Sequence, residues 1–179
     1  MYAYVGNDPI DRMDPTGECT TGGACPPETQ SSGQNREAAV AYGANTHGTV
    51  AEGEAVVSVI VNRVKSGLAQ FGCKKSCTVG DVLSHKPGFA EVGNPQYKHY
   101  LAGKANNKGA QNAAKAAKYV GKNGPTTNAT FYIENPGGGA PKPGEVKALG
   151  KVGPAKPSRV GGVYLYKVAP PSLPNQIGR

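Results

Sequence analysis

Glu52 and Glu54 flank Gly53 at the head of the chain's strongest helical pattern, and Glu91 follows Phe89 by two residues. Carboxyl groups are the natural general acids, able to protonate a leaving oxygen, and a second one can serve as partner carboxylate. His47 lies just upstream of the first pair, where an imidazole could hydrogen-bond or shuttle a proton. A histidine beside a glycine also reads as a plain polar loop residue. Thr130 and Tyr132 fall on one face of a period-two pattern, Phe131 and Ile133 on the other. With no tryptophan, the nine tyrosines are expected to supply any aromatic platform. Cys19/Cys25 and Cys73/Cys77 form two close pairs, which fits disulfides in an oxidising compartment. Their spacings, C-x5-C and C-x3-C, do not suit zinc. A cysteine nucleophile paired with His85 lacks an identifiable orienting group. No metal or cofactor is expected.

These residues need elements to hold them. Residues 36–42 read as a short helix that Gly43 weakens. Residues 52–65 form the strongest helix, with Val56, Val57, Ile60, Val61 and Val64 on an apolar face and Gly67 as its C-cap. Its β-branched residues argue for burial, since packing must override poor intrinsic propensity. Thr78 to Asp81 has the form of a capping box opening a helix through His85. Asn94-Pro95 predicts a capped helix over 95–101, and 108–120 is an alanine-rich helix ended by Gly121 and Gly124. The period then changes to two. Residues 128–133 and 160–168 read as partner strands, and 135–156 as a Gly/Pro/Lys loop. Residues 18–35 read as a flexible linker and 169–179 as a disordered tail. Helices followed by a small antiparallel sheet near the C-terminus make an α+β fold.

Composition limits the core: 37% hydrophobic residues, with 26 Gly and 15 Pro. No apolar run reaches the 18 or so residues of a membrane span, and no signal peptide opens the sequence. Residues 1–54 carry two basic residues against eight acids, and residues 55–179 carry 18 against four, a net of −6 and +14. A basic body favours polyanions: nucleic acid, anionic lipid or acidic cell-wall polymer.

Two resemblances narrow the choice. Tyr2-Ala3-Tyr4-Val5-Gly6-Asn7-Asp8-Pro9, followed by Asp14-Pro15-Thr16-Gly17, resembles the end of the Rhs repeat core. That family's wording is Y-x-Y-V-G-N-x-P and then D-P-x-G. The resemblance implies that residues 1–17 close an Rhs core shell, that cleavage occurs near Asp14, Pro15 and Gly17, and that a toxin follows. Residues 36–168 resemble the spore-cortex-lytic, SleB-like cell-wall hydrolases. Tyr42-Gly43 and Ile60-Val61-Asn62-Arg63-Val64 are similar to Y-x-E-A-x-G-E and A-V-A-x-V-V-L-N-R-V. Pro87-Gly88-Phe89, Ala113-Ala114-Lys115-Ala116-Ala117, Pro125-Thr126-Thr127-Asn128-Ala129-Thr130-Phe131-Tyr132 and Val160-Gly161-Gly162-Val163-Tyr164 match later pieces in order.

This second resemblance implies a lysozyme-like helical scaffold that cleaves peptidoglycan glycan strands, with Thr130 and Tyr132 lining the sugar cleft and His47, Phe89 and Glu91 beside it. Counted back without gaps from Asn62, the family's catalytic Glu falls on Ala44. Three readings stand: Ala44 replaces a working Glu, Glu52 or Glu54 supplies the acid, or the domain is a non-catalytic wall- or immunity-binding module. The leading expectation is an antibacterial effector acting as a lytic transglycosylase or muramidase. It would be delivered by a type VI-like secretion system into the periplasm of a target bacterium and neutralised by a cognate immunity protein. The alternative is a nuclease toxin. It lacks an H-N-H or D-x-K signature, so nucleic acid is not the expected partner.

Overall fold

A computed structural model describes residues 32–73, 77–86, 88–135 and 139–169. The Rhs-like segment, Cys19, Cys25, most of the expected linker, Pro87 and the tail lie outside the described residues. Helix α2, Val50–Ser66, is the centre of the fold. Thr49 caps it in a box with Glu52, and Gly67 ends it at φ 61°. Its burial goes beyond one apolar face: Gly53, Ala55, Val56, Val57, Ser58, Val59, Ile60 and Arg63 are all buried, while Val61 and Val64 are only partly so. A helix covered on nearly every side explains why β-branched residues are tolerated along it.

Helix α1 (Ser32–Ala44) and helix α5 (Lys108–Asn123) pack against α2. α1 begins four residues ahead of the expected Arg36, so residues 32–35 are helix, not linker. Tertiary contact supports that extra turn: a Cβ at Gly121 of α5 would strike the Gln34 side chain. α5 therefore runs through Gly121 and stops at Gly124. It presents Gly109, Ala110, Ala113, Ala116 and Ala117 inward, and a Cβ added at Gly53 of α2 would lie 2.9 Å from the Ala116 methyl. Small residues let the two axes approach closely. α3 (Val79–Ser84) and α4 (Pro95–Leu101) open on caps from Thr78 and Asn94, as their sequences predict.

The sheet has strand order β1-β3-β2, from β1 Phe131–Glu134, β2 Val152–Val160 and β3 Val163–Val168. β1 and β3 are the expected antiparallel pair, in register from Phe131 opposite Tyr166 to Glu134 opposite Val163. The stretch 135–156 is not simply a loop: it holds helix α6, Pro143–Ala148, and the start of β2. Pro154 and Pro157 hid that strand. They are tolerated because β2 is an edge strand, with a register shift between Pro154 and Arg159. The architecture is α+β, and no helix among the described residues is long and apolar enough to cross a membrane. Cys73 and Cys77 are joined by a disulfide.

Candidate functional site

The link between α2 and the segment leading into β1 positions the site. Asn62 donates its amide to the carbonyls of Thr127 (2.7 Å) and Ala129 (2.8 Å), and Arg63 Nε donates to Thr130 O at 2.7 Å. One turn earlier, Ser58 Oγ accepts the Thr126 N–H at 2.9 Å. The Asn-Arg pair and the Thr-Thr-Asn-Ala-Thr stretch, far apart in sequence, are thus bound to each other. At the other end of α2, Glu52 accepts from the Gly162 N–H (2.8 Å), and Asn135 N–H donates to Gly162 O (2.9 Å). The tip of the β2–β3 hairpin is held there against the start of α2, beside Glu134.

Glu134 and Glu52 face a crevice that also takes Ala41, Asn45, Gly48 and Thr49. At about 10 Å³ it has room for little more than one water. Burial first, then the charges of Glu91 and Glu52, raise the Glu134 carboxyl from 4.5 to about 7. Glu52 goes the other way. Burial pushes it up, but hydrogen bonds from the Gly162 N–H and from the Thr49 N–H and hydroxyl outweigh that and leave it lowered. Glu52 is therefore an ionised clamp, unsuited to donating a proton near neutrality. Glu54 is raised by burial alone and lines neither the crevice nor the neighbouring cleft.

That cleft, about 320 Å³, is lined by Arg63, Phe71, Phe89, Glu91, Phe131 and Tyr132 among others. All three phenylalanines of the chain surround the Arg63 guanidinium, whose carbon lies 4.3 Å from the Phe89 ring centre and 5.0 Å from those of Phe71 and Phe131. Burial lowers Arg63 to about 10, with Tyr132 and Glu91 acting to raise it. The buried Tyr132 hydroxyl lies by the Glu91 carboxylate without a well-formed hydrogen bond. Burial, then Glu91 and Glu134, hold it well above the ordinary tyrosine range, against a smaller opposing effect from Arg63.

Of the residues expected at a binding site, Phe89, Glu91 and Tyr132 come together in this cleft. Phe131, expected on the opposite face, lines it too. β1 is an edge strand, and a cleft along an edge meets side chains from both faces. Thr130 does not join them: its hydroxyl accepts the Val168 N–H at 3.1 Å. His47 is exposed and lines neither cavity; its backbone N–H donates to Asn45 Oδ1 at 3.0 Å. The aromatic wall is phenylalanine and Tyr132, not a platform drawn from the nine tyrosines.

Ala44, at the end of α1, lines neither cavity, but both its neighbours touch the site. A Cβ on Gly43 would lie 3.2 Å from Glu91 Cβ, and Asn45 lines the crevice. Asn94 Nδ2 donates to Gly43 O, and Asn112 Nδ2 to Gly48 O, pinning both ends of this turn. Glu134, Arg63 and Phe71 are site residues that residue-by-residue reading passed over. Period two offered the signal for the first, since Thr130, Tyr132 and Glu134 form one row. Compared with family models, curated proteins and solved structures, the chain matches none.

Proposed function

We propose that residues 36–168 form a toxin domain that cleaves peptidoglycan glycan strands, with Glu134 as its general acid. The observation that carries this reading is the Glu134 carboxyl, which shares a crevice with Glu52 and is raised to about 7 by burial and by the charges of Glu91 and Glu52. Glycoside cleavage needs one carboxylic acid kept neutral to protonate the leaving oxygen, and hydrolysis by water adds a second carboxylate nearby that stays charged. Glu134 fits the first role. Lytic transglycosylation needs no second catalytic carboxylate, because the sugar's own 6-hydroxyl can attack in place of water. The SleB-like resemblance supports the same chemistry, and the bonds between its two motifs give those residues a shared structural reason. The Rhs-like N-terminus supports delivery as a secreted effector to the target periplasm, with an immunity protein as protective partner.

A peptidoglycan zymogram with analysis of anhydromuramyl ends tests this with three chains. The parent is expected to clear the gel, with its rate falling as pH rises through about 7. Glu134→Gln should lose about 10²–10⁴-fold in rate, the usual cost of removing a general acid. Ala44→Glu adds a carboxyl between Gly43 and Asn45 and should clear faster. Clearing by Ala44→Glu alone would return the acid to position 44. Clearing by none of the three would overturn glycan cleavage, and magnesium-dependent degradation of plasmid DNA would replace it with a nuclease.

A further inference from the structure

Arg63 is 6% exposed, yet it spends only one of its five N–H donors, on Thr130 O. Its two terminal nitrogens have no hydrogen-bond partner among the described residues. Neither terminal nitrogen is sealed from solvent, so both are open to the cleft, where a ligand can take the place of water as acceptor. The phenylalanine rings around it cannot accept in-plane hydrogen bonds, so its free N–H groups are left to the cleft that it lines. Glu91 lines the same cleft and acts electrostatically on Arg63, but the two make no ion pair. A cation and an anion therefore stand across one cavity, close enough to feel each other and not in contact. Between them the walls are apolar: Phe71, Phe89, Phe131 and Leu149.

We infer that this cleft binds an α-amino-acid head group carried on an aliphatic chain, the carboxylate on Arg63 and the ammonium at Glu91. Planar guanidinium suits a carboxylate, because two parallel N–H donors meet its two oxygens. The phenylalanine wall accommodates the methylenes between the head group and the rest of the ligand. A simple anion would satisfy Arg63 but face the Glu91 charge, and a simple cation would face Arg63. Only a group with both charges answers both residues. In peptidoglycan, the unlinked end of a diamino diacid in a stem peptide has this chemistry. The inference thus names a recognition cleft beside the Glu134 crevice, with Glu91 acting on Glu134 as well, and in that sense rests on the reading above.

Three small molecules of matched length test it by calorimetry or NMR titration: 2,6-diaminopimelate, pimelate, which lacks the ammonium groups, and 1,5-diaminopentane, which lacks the carboxylates. The parent is expected to bind diaminopimelate about tenfold or more tighter than either, the usual weight of one charge-assisted contact. Glu91→Gln should erase the preference over pimelate and keep that over diaminopentane, a pattern that loss of packing would not give. Arg63→Lys keeps the charge but loses the fork, and should weaken both carboxylates. If Arg63→Lys fails to fold, the Glu91→Gln ratios decide alone. Absent binding, equal binding of all three, or unchanged ratios in Glu91→Gln would overturn the inference. Binding is read without any glycan and so does not depend on the cleavage step. Cleavage without binding would therefore sink this inference only, and binding without cleavage only the catalytic reading.

Discussion

Glu37 lies in α1 with 5% of its surface exposed, and burial raises its carboxyl from 4.5 to about 7. Between those two values the native chain keeps a proton that the unfolded chain has released, so stability falls as pH rises through this window. Above it, the fold carries a charged, desolvated carboxylate. Glu37→Gln removes that penalty. At pH 8 it should gain about 3 kcal/mol at most, and at pH 4 close to nothing, measured by urea unfolding. Glu134 drifts in the same direction, so the variant should keep part of the slope. A gain at pH 4 as large as at pH 8 would show that titration of Glu37 is not its source. Neither raised carboxyl was legible as such in the sequence. Glu37 stands before a run of alanines, and Glu134 closes a strand. What shifts them is the arrival of distant segments, including Glu91 and Glu52 beside Glu134.

At the scale of elements, the Asn62 side chain joins α2 to the approach of β1 by donating to two carbonyls at once. Asn62→Ala leaves both without that donor and should cost about 1–3 kcal/mol of stability. It should also loosen β1, so hydrogen exchange at Ile133 and Asn135, whose amides face β3, ought to quicken more than at Val57 or Ile60. Uniform quickening would mean that the bond supports the fold as a whole and not the strand. Most elements were legible because their signals are local. Thr78 with Asp81 and Asn94-Pro95 cap helices where their chemistry says they should. β2 was not legible, because its prolines argue against a strand until its edge position is known. α6 buries none of its residues, so no apolar period announces it.

For the whole molecule, the Cys73–Cys77 bridge closes a loop with a sequence separation of only four, following the 3-10 turn Ala69–Phe71 that brings Phe71 to the cleft. So short a loop restrains the unfolded chain modestly, by about 2 kcal/mol on chain-entropy grounds. Cys77→Ser should therefore lower stability by no more than about that amount and leave a folded domain. A collapse of the melting transition would assign the bridge a larger share of the fold. The close spacing allowed the pairing without deciding between disulfide and free thiols; the cleft that it neighbours was not legible, because Phe71, Phe89 and Phe131 meet only in three dimensions.

The strand order has one more consequence. β3 is the last described strand in sequence and the middle one in space, so β1 and β2 share no ladder without it. A chain emerging from a ribosome or a translocation pore N-terminus first would display Tyr132 and Glu134 with nothing to pair against until residues 163–168 had followed. Site assembly therefore waits until β3 has emerged. On the proposed toxin reading, such deferral would keep a half-made copy harmless.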